Sequence, residues 1–255
     1  MAQRFIMDSV ESATINLLSG GGSNYNLPAL KWRNNNVRAF NGTSPSHVPS
    51  IEIDFGTSTQ INYFFLGNFI QSESLDSILF YYWNGSTYVE ETLEVLPGYL
   101  TGPHDGNYLY PLYSSRTATK FKIVFTPDAT DVFQLSNLFM GYGYFTTSTD
   151  YDYRSTRGSQ FRGEVITDQY GNPYAHQINT TRKRIWDVVY RLSASELASF
   201  NTQFDKVGIN QKAFYFLDER VSSTTWFLVK CENEALLPVQ QSADLFELPL
   251  RLVQL

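Results

Sequence analysis

Short apolar or alternating runs, separated by clusters of turn formers, fill this chain. Ile51, Ile53 and Phe55 alternate with Glu52 and Asp54, so a strand over 51–55 would bury one face and wet the other. Residues 61–66 and 77–83 are aromatic and aliphatic, a composition that suits a half-buried pleated surface. Asn84-Gly85 follows the second run at once and precedes another run at 86–90. Both residues tolerate positive φ, so the pair predicts a hairpin. Further strands are predicted at 108–113, 120–125 and 135–145. Strands at this spacing, with no long helical pattern between them, predict a sandwich or jelly roll.

Residues 146–155 are polar and lack a core pattern, which places a domain boundary near residue 150. Beyond it, runs at 161–167 and 175–179 flank the turn-rich stretch 168–173, and another strand is predicted at 184–192. Ser193-Ala-Ser-Glu196 has the form of a capping box. Leu197, Phe200, Phe204 and Val207 follow at helical spacing, and Gly208 is a suitable stop, so one amphipathic helix is predicted over 194–207. Strands resume at 213–217, 225–232 and 245–252. The fold class is all-β with one packed helix, in two domains, 1–150 and 151–255. Residues 1–12 are a candidate first strand for the second domain.

Composition narrows the function classes. Hydrophobic residues make up 42% of the chain and charged residues 17%, enough apolar side chain for real cores and a surface poor in charge. A surface of that kind suits contact with other subunits. Residues 1–150 hold 7 Lys and Arg against 13 Asp and Glu, and residues 151–255 hold 12 of each. Neither half is basic, which argues against specific nucleic-acid recognition. Cys231 is the single cysteine, so no internal disulfide or thiolate zinc cluster can form, and its apolar run reads as a buried thiol. No secretory signal is apparent, and no run approaches the about 20 apolar residues of a membrane helix.

Residues 13–145 resemble a galactose-binding-like jelly roll of the discoidin type. The resemblance rests on Ile15-Asn-Leu-Leu-Ser, Trp32-Arg-Asn, Val37-Arg-Ala-Phe, Ile51-Glu-Ile-Asp-Phe-Gly and Ile61-Asn-Tyr-Phe-Phe-Leu-Gly-Asn. Phe121-Lys-Ile-Val-Phe and Leu135-Ser-Asn-Leu-Phe-Met-Gly-Tyr match its closing strands. Residues 155–255 resemble the tail-tube-like split β-barrel, with one packed helix, of bacteriophage distal tail and hub proteins. That likeness rests on residues 184–197, on 200–208 with Ala213-Phe-Tyr-Phe, and on the closing stretch 245–255. Together the resemblances imply a non-catalytic structural component of a phage virion, at the distal tail or tail tip, assembled in the host cytoplasm. The implied partners are tail-tube, hub and tape-measure proteins, other copies in a homo-oligomeric ring, and host-surface glycan held weakly by the first domain. The alternatives are a stand-alone carbohydrate-binding protein and a glycan-degrading enzyme.

The residues offer little for catalysis. His47, His104 and His176 have no zinc-ligand spacing, and no Gly-x-Ser-x-Gly elbow is present. Gly20-Gly21-Gly22 lacks the Lys-Ser/Thr of a phosphate loop. Glu52 and Asp54 share a strand face, and paired carboxylates are what glycoside hydrolysis needs, although such a pair is usually solvated. No cofactor and no metal are expected. For sugar binding the candidates are Trp32, Arg33, Asn34 and Asn35 in one loop and Trp83 and Asn84 in another. Aromatic faces would cover sugar C–H patches while Asn and Arg bond the hydroxyls. Trp residues are also highly buried on average, and Asn runs form turns without a ligand, so core packing is the competing reading. Arg182, Lys183 and Arg184 are candidates for an oligomer interface or a solvated strand end.

Overall fold

The computed structural model describes residues 3–8, 10–19, 27–31, 40–43, 50–71, 75–93, 104–127, 132–148, 150–152, 155–160, 163–167, 173–177, 183–209, 211–221 and 225–255. The chain is mainly β and divides into two compact units. One comprises Ile6–Tyr144 with Thr224–Trp226, the other Met1–Phe5, Phe145–Ser223 and Phe227–Leu255.

β1 (Gln3–Ile6) opens the chain and pairs within the C-terminal unit. The N-terminal unit follows with β2 (Thr14–Ser19), a 3-10 turn (Leu27–Lys31), β3 (Phe40–Thr43), β4 (Ser50–Gln71), β5 (Leu75–Trp83), β6 (Tyr88–Glu91), β7 (His104–Pro127), β8 (Val132–Leu135) and β9 (Asn137–Gly141). Its sheet runs β3-β8-β4-β7-β5-β6, with β2 and β9 also paired to β4.

β4 and β7 each merge two of the predicted strands. The pair stays in antiparallel register through irregularities at Asp54/Thr59, Ile61/Tyr63 and Leu66/Phe69. At the first, Asp54 Oδ1 accepts the Gly56 N–H at 2.8 Å and Gly56 takes φ +68°, so the chain bends without leaving the ladder. Inward positions of β4, β5 and β7 fill the core: Ile51, Ile53, Phe64, Phe80, Phe121 and Ile123 are fully buried. Phe64 stacks between Phe80 and Tyr110, with ring centres 5.2 and 4.8 Å away. The predicted single strand 135–145 is instead split at Ser136, whose N–H bonds Gly67 O at 3.2 Å between β8 and β9.

The β5–β6 hairpin closes on four residues, so β6 starts two residues later than the Asn-Gly signal predicts. The Asn84 carboxamide oxygen accepts from Ser86 N, Ser86 Oγ and Thr87 N at 2.9–3.0 Å, and Gly85 sits at φ +102°. That side-chain cap extends the turn and brings Trp83 opposite Tyr88.

The C-terminal unit holds β10 (Phe145–Thr146), β11 (Thr156–Gln160), β12 (Gly163–Thr167), β13 (Pro173–Gln177), β14 (Lys183–Leu192), α1 (Ala194–Phe204), β15 (Phe214–Asp218), β16 (Trp226–Cys231), β17 (Val239–Ser242) and β18 (Leu245–Gln254). The sheet order is β10-β1-β15-β16-β18-β14-β11, with β17 on β18 and a separate β12–β13 hairpin. The packed helix is present. The expected barrel is not closed: among the described strands the pairing ends at β10 on one side and β11 on the other.

Helix α1 starts where the capping box places it. Ser193 Oγ accepts the Glu196 N–H at 3.3 Å, and Glu196 Oε2 accepts the Ser193 N–H at 2.9 Å. The helix ends at Phe204, earlier than predicted, and a turn carries the chain to Gly208, whose N–H bonds Phe204 O at 2.8 Å with φ +67°. Leu197, Phe200 and Phe204 are the buried face. Ser193→Ala should destabilise the protein by about 1 kcal/mol, read as a lower urea midpoint at unchanged slope.

Behind this sheet lies a buried polar cluster. Asp218 is wholly buried and accepts from Trp186 Nε1 at 2.9 Å, the Arg220 N–H at 3.0 Å and the Tyr151 hydroxyl at 3.3 Å. Arg157 Nη1 stands 3.8 Å from the same carboxylate. Burial, and then the Asp218 charge, push the Tyr151 phenol up to about 12. Cys231 is buried, as its apolar run predicts, and burial pushes its thiol above the usual range.

Candidate functional site

Alternate residues of β2, β4, β7, β5 and β6 point away from the sandwich core and share one face. Register sets them in rows. Asn16 lies opposite Glu52, Glu52 opposite Lys122, Lys122 opposite Tyr81 and Tyr81 opposite Glu90. In the neighbouring row Thr14 lies opposite Asp54 and Asp54 opposite Lys120, while Trp83 lies opposite Tyr88 at the far edge. The period-2 alternation that buries Ile51, Ile53, Phe80, Phe121 and Ile123 therefore puts polar and aromatic side chains together on the other side.

These side chains are tied to one another. Glu52 accepts from Asn16 Nδ2 at 3.1 Å and takes a short hydrogen bond from the Tyr88 hydroxyl. Lys120 Nζ pairs with Asp54 at 2.9 Å and lies 3.9 Å from Glu52. Lys122 Nζ lies over the Tyr81 and Tyr88 rings, 4.2 and 4.8 Å from their centres. Trp83 and Tyr88 meet edge to face at 5.1 Å. The Lys120 hydrogen bond, then the Gly56 N–H, hold the Asp54 carboxyl below its usual range. Burial, then the Glu52 bond, raise the Tyr88 phenol, which stays a donor. Exposed pairs of this kind contribute at most about 1 kcal/mol each. Their effect is to fix donors, acceptors and ring faces in a half-exposed array.

Of the predicted sugar contacts, Trp83 lies on this face. Asn84 lies beside it, with its carboxamide oxygen engaged in the turn. Trp32, Arg33, Asn34 and Asn35 lie outside the described residues, as does Arg182. Lys183 and Arg184 lie in β14, where the Arg184 guanidinium sits 4.8 Å over the Phe227 ring. Glu52 and Asp54 do share a face, but Lys120 pairs with Asp54 and holds it ionised, which ill suits Asp54 as a general acid. Tyr81, Tyr88, Lys120 and Lys122 were missed in the sequence. The phase of 79-81-83 and 120-122 marks them as outward; only the register shows that they meet. Among the described residues no group of three His, Cys, Asp or Glu side chains could hold a metal ion. No helix among them is long and apolar enough to cross a membrane.

No protein-family model matches this chain, and no curated protein does. Solved structures do. Chitosan-binding module 1 of a chitosanase/glucanase from Paenibacillus sp. IK-5 is similar at 15% identity and TM-score 0.40, covering 53% of this chain and 98% of the module. A family 32 carbohydrate-binding module from Clostridium perfringens, solved with galactose, is similar at 10% identity and TM-score 0.39, covering 54% and 98%. An α-L-fucosidase-like protein of Bacteroides thetaiotaomicron matches at 10% identity and TM-score 0.41, covering 53% of this chain and 28% of that one.

Proposed function

We propose that the N-terminal unit binds carbohydrate without acting on it, through the outward face of β2, β4, β7, β5 and β6. The observation that carries this reading is the Trp83–Tyr88 pair standing beside a bonded network of Glu52, Asn16, Lys120 and Asp54. A sugar offers apolar C–H faces and a rim of hydroxyls. Aromatic rings suit the first, and fixed carboxylates and ammonium groups suit the second, since each hydroxyl both donates and accepts. Glu52, Asp54 and Glu90 stand against Lys120 and Lys122, so the face is close to charge balance and favours a neutral ligand over a phosphate-rich one.

The resemblance of the first half to galactose-binding-like jelly rolls points the same way. The tail-assembly reading, with its ring, its tail-protein partners and its virion location, rests on the sequence pattern of residues 155–255 alone. The glycan reading is preferred because a surface of matching chemistry stands in the fold. On a panel of neutral mono- and oligosaccharides, calorimetry should find at least one saturable ligand. Trp83→Ala should weaken it by roughly tenfold or more, at unchanged far-UV circular dichroism. No saturable sugar, or one bound equally by the variant, would count against this face.

A further inference from the structure

We propose that the C-terminal unit carries a separate site, an arginine-lined cleft that takes the carboxylate or phosphate group of a small anionic ligand. The cleft is a shallow, open depression of about 570 Å³, and Arg157, Ser159, Arg184, Trp186 and Val221 are among its walls. The register explains why they converge. β11 pairs antiparallel with β14, placing Arg157 opposite Trp186 and Ser159 opposite Arg184. All four side chains therefore share one face, and the two arginines are diagonal neighbours, about 7–8 Å apart at the backbone. Side chains as long as theirs can reach a common point from that spacing.

The charge of the cleft is one-sided. Among the described residues, two guanidinium groups line it and no carboxylate does. Asp218, which stands behind Arg157, is wholly buried and engaged by Trp186 Nε1, the Tyr151 hydroxyl and the Arg220 N–H. Arg157 approaches Asp218 at only 3.8 Å through Nη1, and its side chain is 43% exposed. Asp218 thus approaches one corner of the guanidinium and leaves its remaining donors unused. The Arg184 guanidinium lies 4.8 Å over the Phe227 ring, a contact that does not use its in-plane N–H groups. Planar forks fixed from behind, next to the Ser159 hydroxyl, match the geometry of an oxyanion.

This site is independent of the sugar-binding face, and the test keeps the two apart. Titrate the full chain by calorimetry with inorganic phosphate, glucuronate and, as the neutral control, glucose, at low and at high NaCl. Saturable binding of phosphate, glucuronate or both is expected, weakening as salt rises. Phosphate alone would name a phosphate group as the ligand chemistry, glucuronate alone a sugar acid. Arg184→Gln should weaken binding by roughly tenfold or more, because it removes charge-assisted hydrogen bonds. Arg157→Gln should do the same, and Arg251→Gln, an arginine of β18 paired with Asp187 outside the cleft, should leave it unchanged. Arg184 has no partner in the Asp218 cluster, so its variant tests the cleft even if Arg157→Gln folds poorly. No binding of either anion, or binding retained by Arg184→Gln, would overturn the proposal.

Discussion

Asp218→Ala should cost the C-terminal unit about 3–5 kcal/mol, because two buried donors lose their acceptor at once. The carboxylate is wholly buried at the end of β15, a strand with every residue covered. Trp186 Nε1 at 2.9 Å and the Tyr151 hydroxyl at 3.3 Å both point at it, and the Arg220 N–H at 3.0 Å completes the shell. Each orphaned buried donor costs about 1–3 kcal/mol, and the truncation adds a small cavity. Asp218→Asn is the informative partner. It retains one oxygen acceptor and drops the charge, so its loss should be clearly smaller. Urea unfolding followed by tryptophan fluorescence would measure both. A loss below about 1 kcal/mol for Asp218→Ala would show that the cluster is not what holds β14 against β15.

Phe5→Ala should be comparably damaging, at about 3–5 kcal/mol. Phe5 is wholly buried, and its ring lies 5.1–6.2 Å, centre to centre, from Phe145, Tyr190, Phe200, Phe214 and Phe216. Those partners come from β10, β14, α1 and β15, so one side chain joins four elements of the unit. A Phe5→Leu variant should recover most of the loss, because volume is largely conserved while the edge-to-face contacts go. If thermal and urea midpoints of Phe5→Ala equal those of the parent, β1 is not part of the cooperative core.

The parts of this fold that were legible in sequence are those set by neighbours in the chain. The alternation at 51–55 marks the buried Ile51 and Ile53, and Ser193 with Glu196 marks the start of α1 to the residue. What was not legible depends on contacts across the chain or on a side chain redirecting the backbone. β4 continues past residue 55 because Asp54 and Gly56 form a bend inside the ladder, which in sequence looks like a strand end. β6 starts late because Asn84 spends its oxygen on the turn. The same split runs through the sites. Trp83 was visible as an aromatic before a turn, but Tyr88, Lys122 and Glu52 become its neighbours only through register. The arginine cleft draws on segments near 157, 184 and 221, and nothing local announces that they meet.

The pairing of β1 bears on the order of events during folding. Gln3 donates its N–H to the Thr147 hydroxyl and receives the Thr147 N–H on its carbonyl, across 144 positions of chain. The jelly-roll strands, by contrast, have partners within their own stretch. On a ribosome β1 would emerge well before its partners and wait through the whole of that stretch, with Phe5 unshielded, before β10 and β15 arrive to cover it. Loop closure over such a span is slow compared with hairpin formation, and the intervening unit shortens it only by folding first. The N-terminal unit would therefore act as a staple in time, bringing the two ends of its own insertion point together so that the later strands can find the first.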